Sequence, residues 1–213
     1  LQESLAGKRV EVGASFEVEG GALRVTQVYD DSPAQNAGLQ VGDMVVKIDD
    51  TDLTTDNIDQ AAELIQGDAG TTVTLVVRRD NTDEELEMTR RNVEIPTVEA
   101  RLIGEKGYIR ITTFNDVTPD QFGKALNEML NNGATSLIFD VRDNGGGTID
   151  AAAKVLDTLL PEGPIVSATY KDGTTEVLAE SDGGYVYSTP MVVLVNEKTA
   201  SAAELFAQAL KDY

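Results

Sequence analysis

The stretch Pro190-Met-Val-Val-Leu-Val-Asn-Glu-Lys-Thr-Ala-Ser-Ala-Ala-Glu-Leu-Phe-Ala-Gln-Ala-Leu210 commits this chain to a strand that turns at once into a helix. Met191 to Val195 is a short unbroken apolar run, which predicts a strand buried on both faces. Asn196 to Thr199 is a polar break. From Ser201 onward, Ala202, Leu205, Phe206, Ala209 and Leu210 recur at helical spacing, and Glu204 stands three residues after Ser201. Ser-x-x-Glu before an apolar run is a capping box, so Ser201 is expected at the helix N-terminus. A cap is the ordinary role for such a serine. A nucleophile on a strand-to-helix turn is the sharper one, because free backbone N–H groups and the helix dipole favour a developing oxyanion there.

What the rest of the chain lacks narrows that chemistry. There is no Cys, which removes disulfides, thiolate nucleophiles and Cys-ligated zinc. There is no His, which removes every Ser-His-Asp triad and most transition-metal sites. Neither a metal nor a cofactor is expected. A nucleophilic Ser201 would need a Lys or a carboxylate as its base. The net charge of −20 repels phosphate backbones and anionic lipid, so nucleic acid is not an expected partner. A homo-oligomer stays compatible with the sequence. The chain opens on Leu1-Gln-Glu-Ser rather than Met, and residues 1–8 read as the remnant of an upstream segment.

Up to about residue 96 the pattern is β-rich. Val10 to Val18 reads as one strand, and Gly20-Gly21 turns it into a second, Leu23 to Tyr29. Pro33 opens a short helix that Gly38 closes. Met44 to Ile48 is a strand, and Ile58, Ala61, Ala62 and Ile65 mark one face of a helix over Asn57 to Gln66. Thr71 to Arg79 and Glu84 to Ile95 are the last two strands. The run Ser32-Pro-Ala-x-x-Ala-Gly-Leu-x-x-Gly-Asp-x-Val-x-x-Ile48 resembles the signature of bacterial PDZ domains, expected here over residues 9–96. The resemblance implies a groove that takes the C-terminal tail of another protein as an added strand. Its carboxylate loop would be Glu11, Val12, Gly13 and Ala14. The edge strand would run from Ala14 to Val18 with Phe16, and the groove helix would present Ile58, Ala62 and Ile65. Glu11 departs from the pattern, which has Gly at that place.

From about residue 97 to Tyr213 strands and helices alternate, as in an α/β layer. Gly107 to Phe114 is a strand, and Thr118 opens a helix that buries Phe122, Leu126, Met129 and Leu130 before Asn132-Gly133. Ser136 to Arg142 is a strand, and Asp143-Asn-Gly-Gly-Gly147 is a loop leading to a helix over Ile149 to Leu160. Ile165 to Tyr170 and Thr174 to Ala179 form a hairpin, and Tyr185 to Val195 returns to Ser201. Three glycines between a strand end and a helix start allow a tight turn or a close backbone approach to a ligand. No Walker Lys follows them, so a phosphate loop is not favoured.

Taken in order, the PDZ-like segment, Gly-Tyr-Ile-Arg-Ile-Thr-Thr-Phe114, Leu-Ile-Phe-Asp-Val-Arg-Asp-Asn-Gly-Gly-Gly147 and Val-Val-Leu-Val-Asn-x-x-Thr-Ala-Ser-Ala-Ala-Glu-Leu205 resemble the C-terminal processing (tail-specific) peptidases. The fold implied is a PDZ domain followed by a crotonase/ClpP-like α/β peptidase core that is incomplete at its C-terminus. The resemblance makes Ser201 the nucleophile of a Ser–Lys dyad, with Ala202 and Gly146 or Gly147 as backbone oxyanion donors. It also implies work outside the cytoplasm, either membrane-associated or secreted. The family's Lys follows one further strand, beyond Tyr213. Lys211 lies ten residues past Ser201 on the same predicted helix, about 15 Å along its axis, and cannot substitute. Lys198 is a turn residue expected in solvent, and Lys154, Arg110 and Arg142 are expected exposed or ion-paired. Asp140 and Asp143 are expected to be strand-end and turn residues rather than metal ligands. Two other readings stand beside this one: a non-catalytic tail-binding protein on a peptidase-like scaffold, and an acyl-CoA enzyme of crotonase type, which the PDZ signature disfavours.

Overall fold

The structure, a computed structural model, describes residues 6–184 and 189–213. The first five residues of the expected upstream remnant and the start of the expected Tyr185 to Val195 segment lie outside those described. The chain divides into two compact units, one of them Lys8–Ile95, with Pro96–Tyr213 in the other. No described helix is long and apolar enough to cross a membrane.

In the first unit, β1 (Lys8–Glu11) pairs antiparallel with β8 (Arg91–Glu94). A separate sheet has the order β2-β3-β4-β6-β7, made of Ala14–Glu19, Ala22–Val28, Met44–Ile48, Thr72–Arg79 and Thr82–Thr89. The short β5 (Thr51–Asp52) pairs with β4. Two expected long strands are each two. Val10 to Val18 breaks at Gly13, whose φ of +83° no extended strand accommodates, and a Cβ there would overlap Ser32. Glu84 to Ile95 breaks at the buried Arg90, where the pairing partner changes from Thr72–Arg79 to β1. Helix α1 (Pro33–Asn36) starts at Ser32, whose Oγ accepts the Gln35 N–H at 3.0 Å. The groove helix is a 3₁₀ turn, Ile58–Gln60, running into α2 (Ala61–Ile65). Of its expected apolar face, Ala61 and Ile65 are buried and Ile58 is half-buried, whereas Ala62 is exposed.

The second unit is built on a sheet of order β14-β11-β10-β9. Strand β9 (Val98–Ile103) runs antiparallel to β10 (Lys106–Ile111), while β11 (Ser136–Asp140) and β14 (Met191–Leu194) run parallel to it. Helices α3 (Thr118–Asn131), α4 (Ile149–Asp157) and α5 (Ala202–Asp212) supply the apolar layers. At the centre, Phe206 of α5 meets Phe114 and Phe139, each at 5.7 Å between ring centroids, and Phe122 of α3 closes on Phe139. All four rings are fully buried. The expected hairpin is β12 (Gly163–Thr169) with β13 (Thr175–Ser181). One expectation fails: β14 is not buried on both faces. Among the described residues it is the sheet's edge, and Val192 and Val195 are 54% and 53% exposed. An apolar run cannot by itself distinguish a central strand from an edge strand.

Candidate active site

Strand β14 ends at Leu194; three hydrogen bonds hold Asn196 to Thr199 against the residues that follow β11, and a fourth closes the turn on itself. Asn196 Oδ1 accepts the Asp143 N–H at 2.9 Å, and Asn196 Nδ2 donates to Asp143 Oδ1 at 3.1 Å. Thr199 Oγ1 donates to the Val141 carbonyl at 2.8 Å and accepts the Asn196 N–H at 3.0 Å. The chain then enters α5 through Ser201, which has φ 53° and ψ −121°. This is a left-handed backbone that few non-glycine residues adopt, and such strain persists only where its surroundings impose it. Glu204 Oε2 accepts the Ser201 N–H at 2.8 Å, the reciprocal half of the expected capping box. Ser201 itself is exposed, whereas Ala202 beside it is 1% exposed. The Ala202 N–H takes no partner among the described residues. A buried amide without an acceptor is uncommon in a folded chain, and here it lies at the positive end of an eleven-residue helix.

The glycine loop lies directly against this turn. A Cβ on Gly146 would come within 2.8 Å of both the Ala200 carbonyl and Ser201 Cβ, and within 3.0 Å of the Ala202 nitrogen. A Cβ on Gly147 would overlap the Phe114 carbonyl. Phe114 N–H donates to the Gly146 carbonyl at 2.9 Å, and Thr148 N–H donates to the Phe114 carbonyl at 2.8 Å. By the alternation of a parallel bridge, the Gly147 N–H is turned away from Phe114, and it too has no partner among the described residues. The expected donors therefore separate: the Gly146 N–H is already given to Asn144 Oδ1 at 2.8 Å, while those of Ala202 and Gly147 are unengaged.

Asn144 is the residue that sequence reasoning passed over. It is fully buried, and it ties three elements together. Its Nδ2 donates to the Ile111 carbonyl at the end of β10 (2.9 Å), its Oδ1 holds Gly146, and its carbonyl accepts the Ala200 N–H at 3.0 Å. The one available signal was its place between a strand-ending Asp and three glycines. Beside it, Asp140 is 1% exposed and accepts hydrogen bonds from Tyr108 Oη (2.6 Å) and from Arg142 Nη2 (2.6 Å) and Nε. The Arg142 guanidinium holds the Asp140 carboxyl far below the usual carboxylate range, against the effect of burial. Lys154 is ion-paired, its Nζ 2.7 Å from Asp150, and Lys198, expected in solvent, is exposed but also lies 3.4 Å from Asp143 Oδ1.

In the other unit, Val12, Ala14 and Ile65 are buried in one apolar cluster, with Phe16 and Ile58 packed against it. Strand β2 forms one edge of its sheet. The Val12 carbonyl accepts the Ala34 N–H at 2.8 Å and the Gly13 carbonyl accepts the Tyr29 N–H at 2.9 Å, which fixes the loop from below. The N–H groups of Val12 and Gly13 take no partner among the described residues. Arg90, 6% exposed, holds the end of α2: Nε donates to the Ile65 carbonyl at 2.7 Å and Nη2 to the Leu64 carbonyl at 2.9 Å. Its Nη1 donates to Thr71 Oγ1 and the Thr72 carbonyl.

Comparison with known proteins gives this geometry a context. Residues 24–79 match the PDZ domain family, and residues 105–213 match peptidase family S41. A CtpA-like serine protease of Staphylococcus haemolyticus is 30% identical over 215 aligned positions, which take in all of this chain and 43% of the relative. One from Staphylococcus aureus (strain COL) is 29% identical over the same extent. The chain thus spans less than half the length of the curated relatives it matches. Among solved structures, a photosystem II D1 C-terminal processing protease is 29% identical, with a TM-score of 0.52 over 98% of this chain and 59% of that one. An S41 protease from Bacteroides fragilis, at 20% identity, shares the fold with a TM-score of 0.59 over 96% of this chain and 62% of that one. With a PDZ domain and a matched segment that carries both the glycine loop and the Ser201 turn, the chain belongs to peptidase family S41.

Proposed function

We propose that this chain carries the tail-recognition groove and the nucleophile of a serine endopeptidase that processes proteins near their C-termini. The observation that carries the reading is the Ser201 turn: an exposed serine on a strained left-handed backbone, followed by a buried, unpartnered N–H at a helix N-terminus. Ser201 Oγ attacks the scissile carbonyl, and the Ala202 and Gly147 N–H groups receive the developing oxyanion. Gly146 acts sterically, since only a residue without a side chain lets the loop lie against Ser201. The Oγ proton goes to a neutral Lys supplied from beyond Tyr213, in keeping with the ion-paired state of Lys154 and Lys198. That Lys then gives the proton to the nitrogen of the departing C-terminal fragment as the C–N bond breaks, and a water, deprotonated by the same Lys, hydrolyses the remaining acyl-enzyme and returns Ser201. No cofactor takes part in these steps.

In the PDZ unit, the substrate tail adds as a strand to the edge of β2. Its terminal group faces Glu11, Val12, Gly13 and Ala14, and its apolar side chains lie along Phe16, Ile58, Ala62 and Ile65. The family resemblance favours a place of work outside the cytoplasm. The test uses the full natural gene product and a reporter protein with an apolar C-terminal tail, followed by mass spectrometry beside a Ser201→Ala variant. Loss of the tail with the parent and at least a thousandfold less with Ser201→Ala is expected for a removed nucleophile, as an order of magnitude. Cleavage by both would move the chemistry away from Ser201. Binding without cleavage by either would make the chain a tail-binding module.

A further inference from the structure

The tail-binding reading leaves one group unexplained. Glu11 stands in the loop expected to receive a terminal carboxylate, where a second negative charge is the least suitable neighbour. Its Oε1 is buried without a hydrogen-bond partner, and among the described residues no other buried side-chain polar atom is so placed. An orphaned buried acceptor carries a desolvation cost that a ligand donor or a proton would remove. Two unengaged donors follow it in the chain, the N–H groups of Val12 and Gly13. The charged and titratable neighbours are few. Burial pushes the Glu11 carboxyl above its ordinary value, and Arg9 on β1 draws it part of the way back. Tyr29, at the end of β3, is also pushed up, by burial first, and its hydroxyl is shared with Ser15 Oγ at 2.9 Å. Arg91 stands opposite Glu11 across the β1–β8 pair and forms no ion pair with it among the described residues. Neither Arg9 nor Arg91 forms an ion pair with Glu11 among the described residues, and the pull of Arg9 does not offset burial there.

Building on the tail-binding reading, we propose that Glu11 makes this groove a proton-linked receptor: a free C-terminal carboxylate enters together with one proton from solvent. The proton is shared between the Glu11 carboxyl and one tail oxygen, while the other tail oxygen accepts from the Val12 and Gly13 N–H groups. No bond other than this O–H···O contact forms or breaks. Two carboxylates in contact cannot both stay ionised, so the complex holds one more proton than its separated parts. Tail affinity then rises as pH falls. A chain end that brings its own donor, such as a terminal amide, needs no proton.

The experiment is isothermal titration of the full chain from pH 5 to pH 8 with an N-acetylated apolar pentapeptide, as free acid and as C-terminal amide. The free acid is expected to bind at least tenfold more weakly at pH 8 than at pH 5, the slope approaching about tenfold per pH unit where a full proton is taken up. The amide is expected to bind equally at both. In Glu11→Gln, whose amide donates without titrating, the free acid should bind equally at both pH values, and at pH 8 more tightly than to the parent. Equal binding of the free acid by the parent at pH 5 and pH 8 would overturn the proton linkage and leave the groove reading standing. If neither peptide binds parent or variant at any pH, the groove reading falls and the linkage with it. Should Glu11→Gln fail to fold, as judged by circular dichroism, the acid-against-amide comparison on the parent alone still decides.

Discussion

Asp140 and Asn144 are four residues apart and hold the same loop by different means. Asp140 does it with charge, accepting from Tyr108 and Arg142 at the end of β11. Asn144 does it with a neutral amide that spends both its donor and its acceptor on backbone. The difference has a consequence in acid. Asp140 has a folded-state pKa below its unfolded value, through Arg142 first and Tyr108 as a further hydrogen-bond donor. Its stabilising contribution is therefore complete above the unfolded value of about 3.9 and is lost as pH falls through the lower, folded one. Asp140→Asn should flatten the acid side of the stability curve, so that the parent loses stability between pH 4 and pH 2 more steeply than the variant. Urea midpoints measured across that range check it. Equal slopes would mean that Arg142, half-exposed as it is, contributes too little to matter.

At the scale of elements, helix α2 is five residues long and too short to persist on its own. Arg90 supplies what it lacks, binding the last two carbonyls of the helix and the start of β6 with one planar fork that packs over Gly67. Arg90→Ala is expected to cost about 2–4 kcal/mol, because several buried carbonyls lose their donor together. Arg90→Lys should recover only part of that. A urea midpoint that falls at constant slope, with faster amide exchange in α2 than in β4, would establish it. Neither Arg90 nor Asn144 was legible in the sequence, and for the same reason. Each satisfies backbone groups far away in the chain, and such partners leave no periodic trace. What was legible had local causes: Pro33 and Gly38 around α1, the hairpin of Ile165 to Tyr170 with Thr174 to Ala179, and Ser201 with Glu204 at the start of α5. The misread strands show the limit from the other side. Apolar alternation runs through Val10 to Val18 without a gap, yet Gly13 takes a backbone that sends its two halves to different sheets. For β14, burial is a property of the neighbours and not of the run itself.

Across the whole molecule, each unit has its own apolar cluster, one around Val25, Val45 and Leu75, the other around the four phenylalanines. Separate cores predict separable responses to damage. Leu75→Ala and Leu137→Ala, at 0% and 1% exposure, should each cost about 2–5 kcal/mol, and each should lower the thermal transition of its own unit only. Calorimetry of the two variants tests this, and a single transition displaced equally by both would show one cooperative body instead. The Ser201 backbone bears on how such a protein changes over generations. At φ 53° and ψ −121°, a residue with a side chain carries strain of about 1–3 kcal/mol, which glycine would relieve with little loss of capping. Selection for stability alone would therefore drive position 201 toward glycine. A lineage that keeps serine there is paying in stability for the hydroxyl, and one that drifts to glycine has stopped using it.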